Sequence, residues 1–238
     1  MNGIKKILKR IKYSAKYGII DIVKQPSLTE IGSRFKTDKC DDNHTFNNIT
    51  YLDIYEKYFS QIRNNPIKLL EIGISAGASL RTWKEYFKYG EIFGIDIDPN
   101  CKNHIENRIN IEIGNQDDIN FLSNCFREVD EFDIIIDDGS HINKHIITSF
   151  DYLFNNRLKS KGIYVIEDLS CSYKKLQTDY DILNIWPGMK YNDPDKSYDN
   201  KREDMNNFFF EKIKKLDFLH GNILNIHFWS MICLITKI

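Results

Sequence analysis

From residue 67 onward the chain alternates short apolar runs with segments of helical character. The runs read as strands at 68–72, 92–96, 109–113, 132–137 and 163–167. They are rich in Ile, Val and Phe and are bounded by charged or turn-forming residues. The intervening stretches read as helical at 79–89, 99–107, 117–128 and 143–155. Regular βα alternation predicts an α/β fold with a mostly parallel sheet and helices on both faces. The end of the chain breaks this rhythm. Strand-like runs at 222–228 and 231–237 are separated by Trp229-Ser230, which is hairpin spacing, so an antiparallel pair should finish the sheet.

In an open α/β sheet, ligands and reacting groups collect at the carboxyl ends of the strands. The fourth strand, Ile134-Ile135-Ile136, runs into Asp137-Asp138-Gly139-Ser140-His141, and the fifth ends in Glu167-Asp168. Acids at two strand ends beside a histidine suggest a divalent metal and a general base. Asp137 should point away from Asp138, because side chains alternate along a strand. His145 lies one helical turn beyond His141 and reads as structural.

The first strand leads into Glu71-Ile72-Gly73-Ile74-Ser75-Ala76-Gly77-Ala78-Ser79. A dinucleotide fingerprint would need glycines where Ser75 and Ala78 stand, which disfavours a pyrophosphate cradle. The pattern is E-x-G-x-x-x-G instead. Asp96 closes the second strand, where a carboxylate can take both hydroxyls of a ribose. The third ends in Asn115-Gln116-Asp117-Asp118, polar groups suited to an adenine edge, although Asp117 or Asp118 could equally cap a helix.

Taken in order, EIGISAGASLRTW, GIDIDP, GNQDD, FDIIIDDGSH and GIYVIEDL resemble the metal-dependent sugar O-methyltransferases, best known from macrolide-antibiotic tailoring. Phe35-Lys36-Thr37-Asp38-Lys39, followed by His44 and Tyr51, is similar to that family's GTDK…H…Y segment. The likeness spans roughly 32–170 and the terminal hairpin. Lys36 stands where the family usually has Gly, and Ser75 replaces a Gly seen in many methyltransferases.

The resemblance implies a Rossmann-like class I methyltransferase fold with S-adenosylmethionine as methyl donor and Mg2+ (or Mn2+) as metal. It implies Asp138, Glu167 and Asp168 as metal ligands and His141 as catalytic base. It places the cofactor along Thr37, Lys39, Glu71, Gly73, Gly77, Ser79, Asp96, Asn115, Gln116, Asp117 and Asp137. An all-carboxylate set suits Mg2+ or Mn2+, whereas no Cys/His cluster has zinc-ligand spacing. The implied acceptor is a sugar hydroxyl; short length, cytoplasmic chemistry and the absence of polyketide context point, apart from the resemblance, to a bacterial surface-glycan sugar or its nucleotide-activated form. A catechol, which also offers adjacent oxygens, is the first rival. A metal-dependent glycosyltransferase using Asp96-Ile97-Asp98 as its DxD is the second. A non-enzymatic assembly or membrane-tethering module led by the basic N-terminus is the third.

Composition narrows the field. Thirty-three Lys and Arg against 34 Asp and Glu leave a net charge of -1, without the basic excess a nucleic-acid binder needs. No apolar run approaches the ~18 residues of a membrane span, and lysines interrupt every apolar stretch near the start, so no secretory signal is expected. Five scattered cysteines without CxxC spacing point to free thiols in a reducing cytoplasm. The first 24 residues carry seven Lys or Arg and one acid, with Ile4, Ile7, Leu8 and Ile11 at helical spacing. Such a basic amphipathic helix suits packing on its own domain, a homo-oligomer contact or weak contact with an anionic membrane surface. The expected layout is therefore an N-terminal helical segment (1–30) and a methyltransferase domain (31–238). Within that domain, 171–207 form a polar insert holding Tyr173, Tyr180, Trp186, Tyr191 and Tyr198. It reads as an acceptor-site loop or as a solvated connection.

Overall fold

The computed structural model describes residues 25–41, 44–172, 200–218 and 221–238. The basic N-terminal helix and the aromatic residues of the insert lie outside these residues.

The chain enters through α1 (Leu28–Phe35). A capping box opens it: Ser27 Oγ accepts the Glu30 N–H while the Glu30 carboxylate accepts the Ser27 N–H. This helix straddles the boundary expected at residue 30. A small hairpin, β1 (Thr45–Phe46) with β2 (Ile49–Thr50), leads into α2 (Tyr51–Phe59), which carries a second capping box between Thr50 and Asp53.

The central sheet then forms from β3 (Lys68–Ile72), β4 (Glu91–Asp96), β5 (Ile109–Ile113), β6 (Phe132–Asp137), β7 (Leu158–Ile166), β8 (Ile223–Trp229) and β9 (Ile232–Lys237). Its order is β5-β4-β3-β6-β7-β9-β8. The first five strands are parallel, and β9 runs antiparallel to both β7 and β8. This is the expected mostly parallel sheet with a terminal antiparallel hairpin. The connecting helices are α3 (Ala78–Tyr86), α4 (Ile119–Asn124), α5 (Asn143–Asn156) and α6 (Arg202–Asp217).

Strand pleating divides the core in two. Leu70, Ile135, Tyr164 and Ile235 pack toward α5 and α6 with Phe150, Phe154 and Phe208. Leu69, Ile134, Ile136, Val165 and Leu234 pack toward α1, α2 and α3 with Tyr55, Phe59 and Trp83. Among the described residues no helix is long and apolar enough to cross a membrane.

Some local expectations need correction. Segment 99–107 is a 3-10 helix over Pro99–His104, because Pro99 opens it and no hydrophobic face draws it into a longer α-helix. Segment 117–128 is helical only over Ile119–Asn124, where Asp118 caps the first turn. The last strand of the parallel set starts five residues earlier than expected, because Leu158 pairs with Phe132 ahead of a register shift. The tight turn of the hairpin falls at Ser230-Met231, with Met231 in the left-handed region. The insert gives way to α6 from Arg202.

Candidate active site

The strand order reverses between β3 and β6, where open α/β sheets bind ligands. The ladder continues one residue past the strands there. Asp138 N–H donates to Ile72 C=O at 2.9 Å and Glu167 N–H to Asp137 C=O at 3.0 Å. Three strand ends are thereby held side by side.

Gly73 has φ +87°, and a Cβ there would lie 2.0 Å from the Asp138 carbonyl oxygen. Gly73→Ala should therefore cost roughly 2–4 kcal/mol from left-handed strain and a backbone clash. Thermal melting checks this, and an unchanged melting temperature would show that the loop can move clear of Asp138.

One ligand atom each from Asp138, His141 and Asp168 lies within 4.8 Å of the others. His141 Nε2 stands 4.0 Å from Asp138 Oδ1 and 3.7 Å from Asp168 Oδ2. His141 and Asp168 both take left-handed backbone conformations, with φ 55° and 53°. Such non-glycine outliers concentrate at functional sites. Asp168 is 3% exposed. The Tyr51 hydroxyl donates to its Oδ1 at 2.9 Å, and His44 Nε2 lies 3.6 Å from the same oxygen. Burial alone would raise the Asp168 carboxyl, but the His44 hydrogen bond and the His141 and His44 charges hold it below the usual range. In return, burial works against the charged form of His44, yet Asp168 pushes it up to about 9.

Glu167 faces inward. Its Oε1 accepts the Tyr55 hydroxyl, and its Oε2 accepts from Lys39 Nζ at 2.7 Å. The same ammonium lies 2.5 Å from Asp138 Oδ2 and 3.4 Å from Glu71 Oε1. Burial pulls the Lys39 ammonium down, but the Asp138, Glu167 and Glu71 charges outweigh it and keep its pKa well above normal. Glu71 Oε2 accepts from Ser79 at 2.8 Å and from Trp83 Nε1 at 3.1 Å. Burial, opposed by Lys39, pushes the Glu71 carboxyl up to about 7. Lys39 and Ser79, expected along the cofactor together with Glu71, thus each meet one oxygen of the Glu71 carboxylate.

The remaining expected cofactor residues divide into two groups. Asp96 sits at the loop's edge, its Oδ2 accepting the N–H groups of Ile74 (2.7 Å) and Ser75 (3.2 Å) and its Oδ1 that of Asp98 (2.9 Å). These bonds engage the first acid of the DxD pattern in loop structure. Gly77 starts α3 at φ +69° with the His104 ring against its Cα, and Asn115 is exposed at the next strand end. Thr37 is buried, 3.4 Å from Asp38 Oδ1.

The second group lies on the α5 side. Asp137 is buried and accepts from Gln116 (3.0 Å), Ser149 (2.7 Å) and Tyr164 (3.1 Å). Gln116 Oε1 in turn accepts the Ser140 N–H at 2.7 Å. Asp117 pairs with His145 at 3.1 Å, and His145 Nδ1 lies 3.0 Å from Ser140 Oγ. This group braces the turn that carries His141.

The sequence marks His44 and Tyr51 only as part of the resembling segment and does not mark Tyr55. Their signal was local: Tyr51 and Tyr55 are four apart, directly after the Thr50–Asp53 cap. What they touch lies more than 110 residues away.

No family model matches the chain. Demethylmacrocin O-methyltransferase of Streptomyces fradiae is 39% identical over 182 residues, covering 73% of this chain and 41% of that protein. Mycinamicin VI 2''-O-methyltransferase of Micromonospora griseorubida is 38% identical over 173 residues, covering 69% and 38%. The chain thus spans about two fifths of the length of these relatives. The solved MycE methyltransferase of the mycinamycin pathway, in complex with Mg, S-adenosylhomocysteine and mycinamycin VI, superposes with a TM-score of 0.67 at 32% identity. That match covers 90% of this chain and 55% of MycE. By sequence the chain is similar to macrolide and tetracenomycin sugar O-methyltransferases, and by fold it is a Rossmann-like class I methyltransferase domain.

Proposed function

We propose that this chain is a divalent-metal-dependent O-methyltransferase that moves a methyl group from S-adenosylmethionine to a sugar hydroxyl. The observation that carries this reading is the convergence of Asp138, His141 and Asp168 at adjacent strand ends beside the glycine loop. MycE, with the same fold, was solved with Mg and S-adenosylhomocysteine.

The donor set fits such an ion. Hard carboxylate oxygens suit Mg2+ or Mn2+, and Asp138 and Asp168 present oxygens to one gap. Asp138 and Asp168 would hold it, and Glu167 would join them only by releasing Tyr55 or Lys39, which engage its two oxygens on the inner side. A bound ion of this kind makes a sugar hydroxyl more acidic by polarising its oxygen. S-adenosylmethionine supplies the electrophilic methyl, with Gly73, Gly77, Asp96 and Asn115 lining its proposed place and the Gln116, Asp117 and Asp137 group supporting it. His141 Nε2 accepts the hydroxyl proton, and the Asp138 and Asp168 carboxylates on either side stabilise the imidazolium that forms. Tyr51 and His44 keep Asp168 turned toward His141. Alignment of the two reactants can itself account for ~7 kcal/mol of such a barrier.

The proposed acceptor is a sugar bearing vicinal hydroxyls, in a small glycoside, a nucleotide-activated sugar or a surface glycan, methylated in the cytoplasm. Transfer from labelled S-adenosylmethionine to a panel of glycosides, nucleotide sugars and catechols tests it. A catechol preferred over every sugar diol would overturn the sugar reading.

Calorimetry tests the cofactor assignment. Asp96→Ala should weaken S-adenosylmethionine binding by roughly tenfold or more, the equivalent of one charge-assisted hydrogen bond. Absence of binding to the unmodified chain would sink the methyltransferase reading.

A further inference from the structure

We propose that Lys39 is a positioning residue, a resident cation that holds the carboxylates of Asp138 and Glu167 side by side ahead of the divalent ion. The proposal rests on the metal reading of this site.

Lys39 is 1% exposed, a burial that lysine reaches only when its charge is matched. Its ammonium has three N–H donors and three carboxylate neighbours, from the ends of β3, β6 and β7. Asp138 and Glu167 each give it one oxygen, at 2.5 and 2.7 Å. Of their remaining oxygens, Asp138 Oδ1 is turned toward His141, and Glu167 Oε1 is held by Tyr55. The ammonium therefore lies on the inner side of the acid cluster, while the gap between Asp138, His141 and Asp168 lies on the outer side.

The segment that brings Lys39 in is itself pinned. It is a single 3-10 turn, Asp38–Cys40, closed by Asp41 N–H to Asp38 C=O at 2.8 Å. His44 Nδ1 lies 2.9 Å from that same carbonyl, and His44 Nε2 faces Asp168. One short segment thus braces all three acids. Without a cation among them, buried carboxylates this close repel one another and separate. A site whose ligands must first be drawn together binds metal more weakly.

Two simpler roles make different predictions. Lys39 could neutralise Glu71 in the core and nothing more, or it could contact the cofactor. The test is Mn2+ binding to the full chain, followed by electron paramagnetic resonance, with melting temperature and S-adenosylhomocysteine affinity measured in parallel. Lys39→Met should weaken Mn2+ binding by roughly 10- to 100-fold, the usual cost of losing a residue that orients metal ligands, and leave S-adenosylhomocysteine affinity unchanged. Lys39→Met/Glu71→Gln removes the charge from the core acid as well. It should melt higher than Lys39→Met yet bind Mn2+ as weakly, and it carries the test if the single variant does not fold.

Mn2+ affinity restored to the unmodified level in the double variant would overturn the proposal in favour of charge compensation at Glu71. Unchanged or tighter Mn2+ binding by Lys39→Met would also overturn it, as would a loss confined to S-adenosylhomocysteine. Failure of the unmodified chain to bind Mn2+ would show instead that the metal reading is wrong.

Discussion

Asp168→Asn is expected to abolish divalent-ion binding and methyl transfer together while the protein stays folded. Asparagine keeps the size of the side chain, tolerates the left-handed backbone at this position and can still accept the Tyr51 hydroxyl. What it removes is the negative charge. The buried carboxyl of Asp168 sits below the usual range because His44 and His141 favour its ionised form, so the ion would lose a charged oxygen that is present at neutral pH. Metal polarisation of an oxygen contributes several kcal/mol, and at 1.36 kcal/mol per factor of ten the loss is on the order of 10³ or more. EDTA should have the same effect on the unmodified chain, and Mg2+ or Mn2+ should reverse it. Mn2+ titration, methyl transfer and circular dichroism check the three parts separately. Full activity in EDTA would remove the metal from the mechanism.

His141→Asn should lower kcat by about 10²- to 10⁴-fold, the usual contribution of a positioned base, with S-adenosylmethionine affinity retained. Asparagine is the substitution of choice because it too accepts a φ near the observed 55°. The variant therefore loses the base without straining the turn that Gln116 and Asn200 hold, the latter through its Nδ2–H to the His141 carbonyl at 2.8 Å. Mn2+ affinity separates two roles for His141. A base leaves it within a few-fold of the unmodified chain. A collapse of Mn2+ binding together with kcat would make His141 a metal ligand instead of the base.

Much of the fold was legible because its determinants are local. Three strands, 68–72, 109–113 and 132–137, fall where the apolar runs place them. Asp138, His141 and Asp168 lie just past strand ends, and the parallel order of β6 and β7 makes those ends neighbours. The alternation that sends Asp137 to the opposite side is visible in its partners, Ser149 on α5 and Tyr164 on the same sheet face. Short or irregular elements were harder. The 3-10 run after Pro99 and the polar start of β7, Leu158-Lys159-Ser160-Lys161, carry little periodic signal.

The sequence by itself determined which residues reach the carboxyl ends of the sheet, since strand length, pleat and turn chemistry are properties of neighbouring residues. Only the tertiary structure decided how those residues divide the work. It turned Glu167 inward to Tyr55 and Lys39, turned Asp168 outward to His141, and put His44 and Tyr51 behind Asp168. The separations explain why: Lys39 lies 99 residues from Asp138 and 128 from Glu167. A buried charge takes its orientation from whichever opposite charge the fold delivers to it, and that pairing is set by packing across the whole domain.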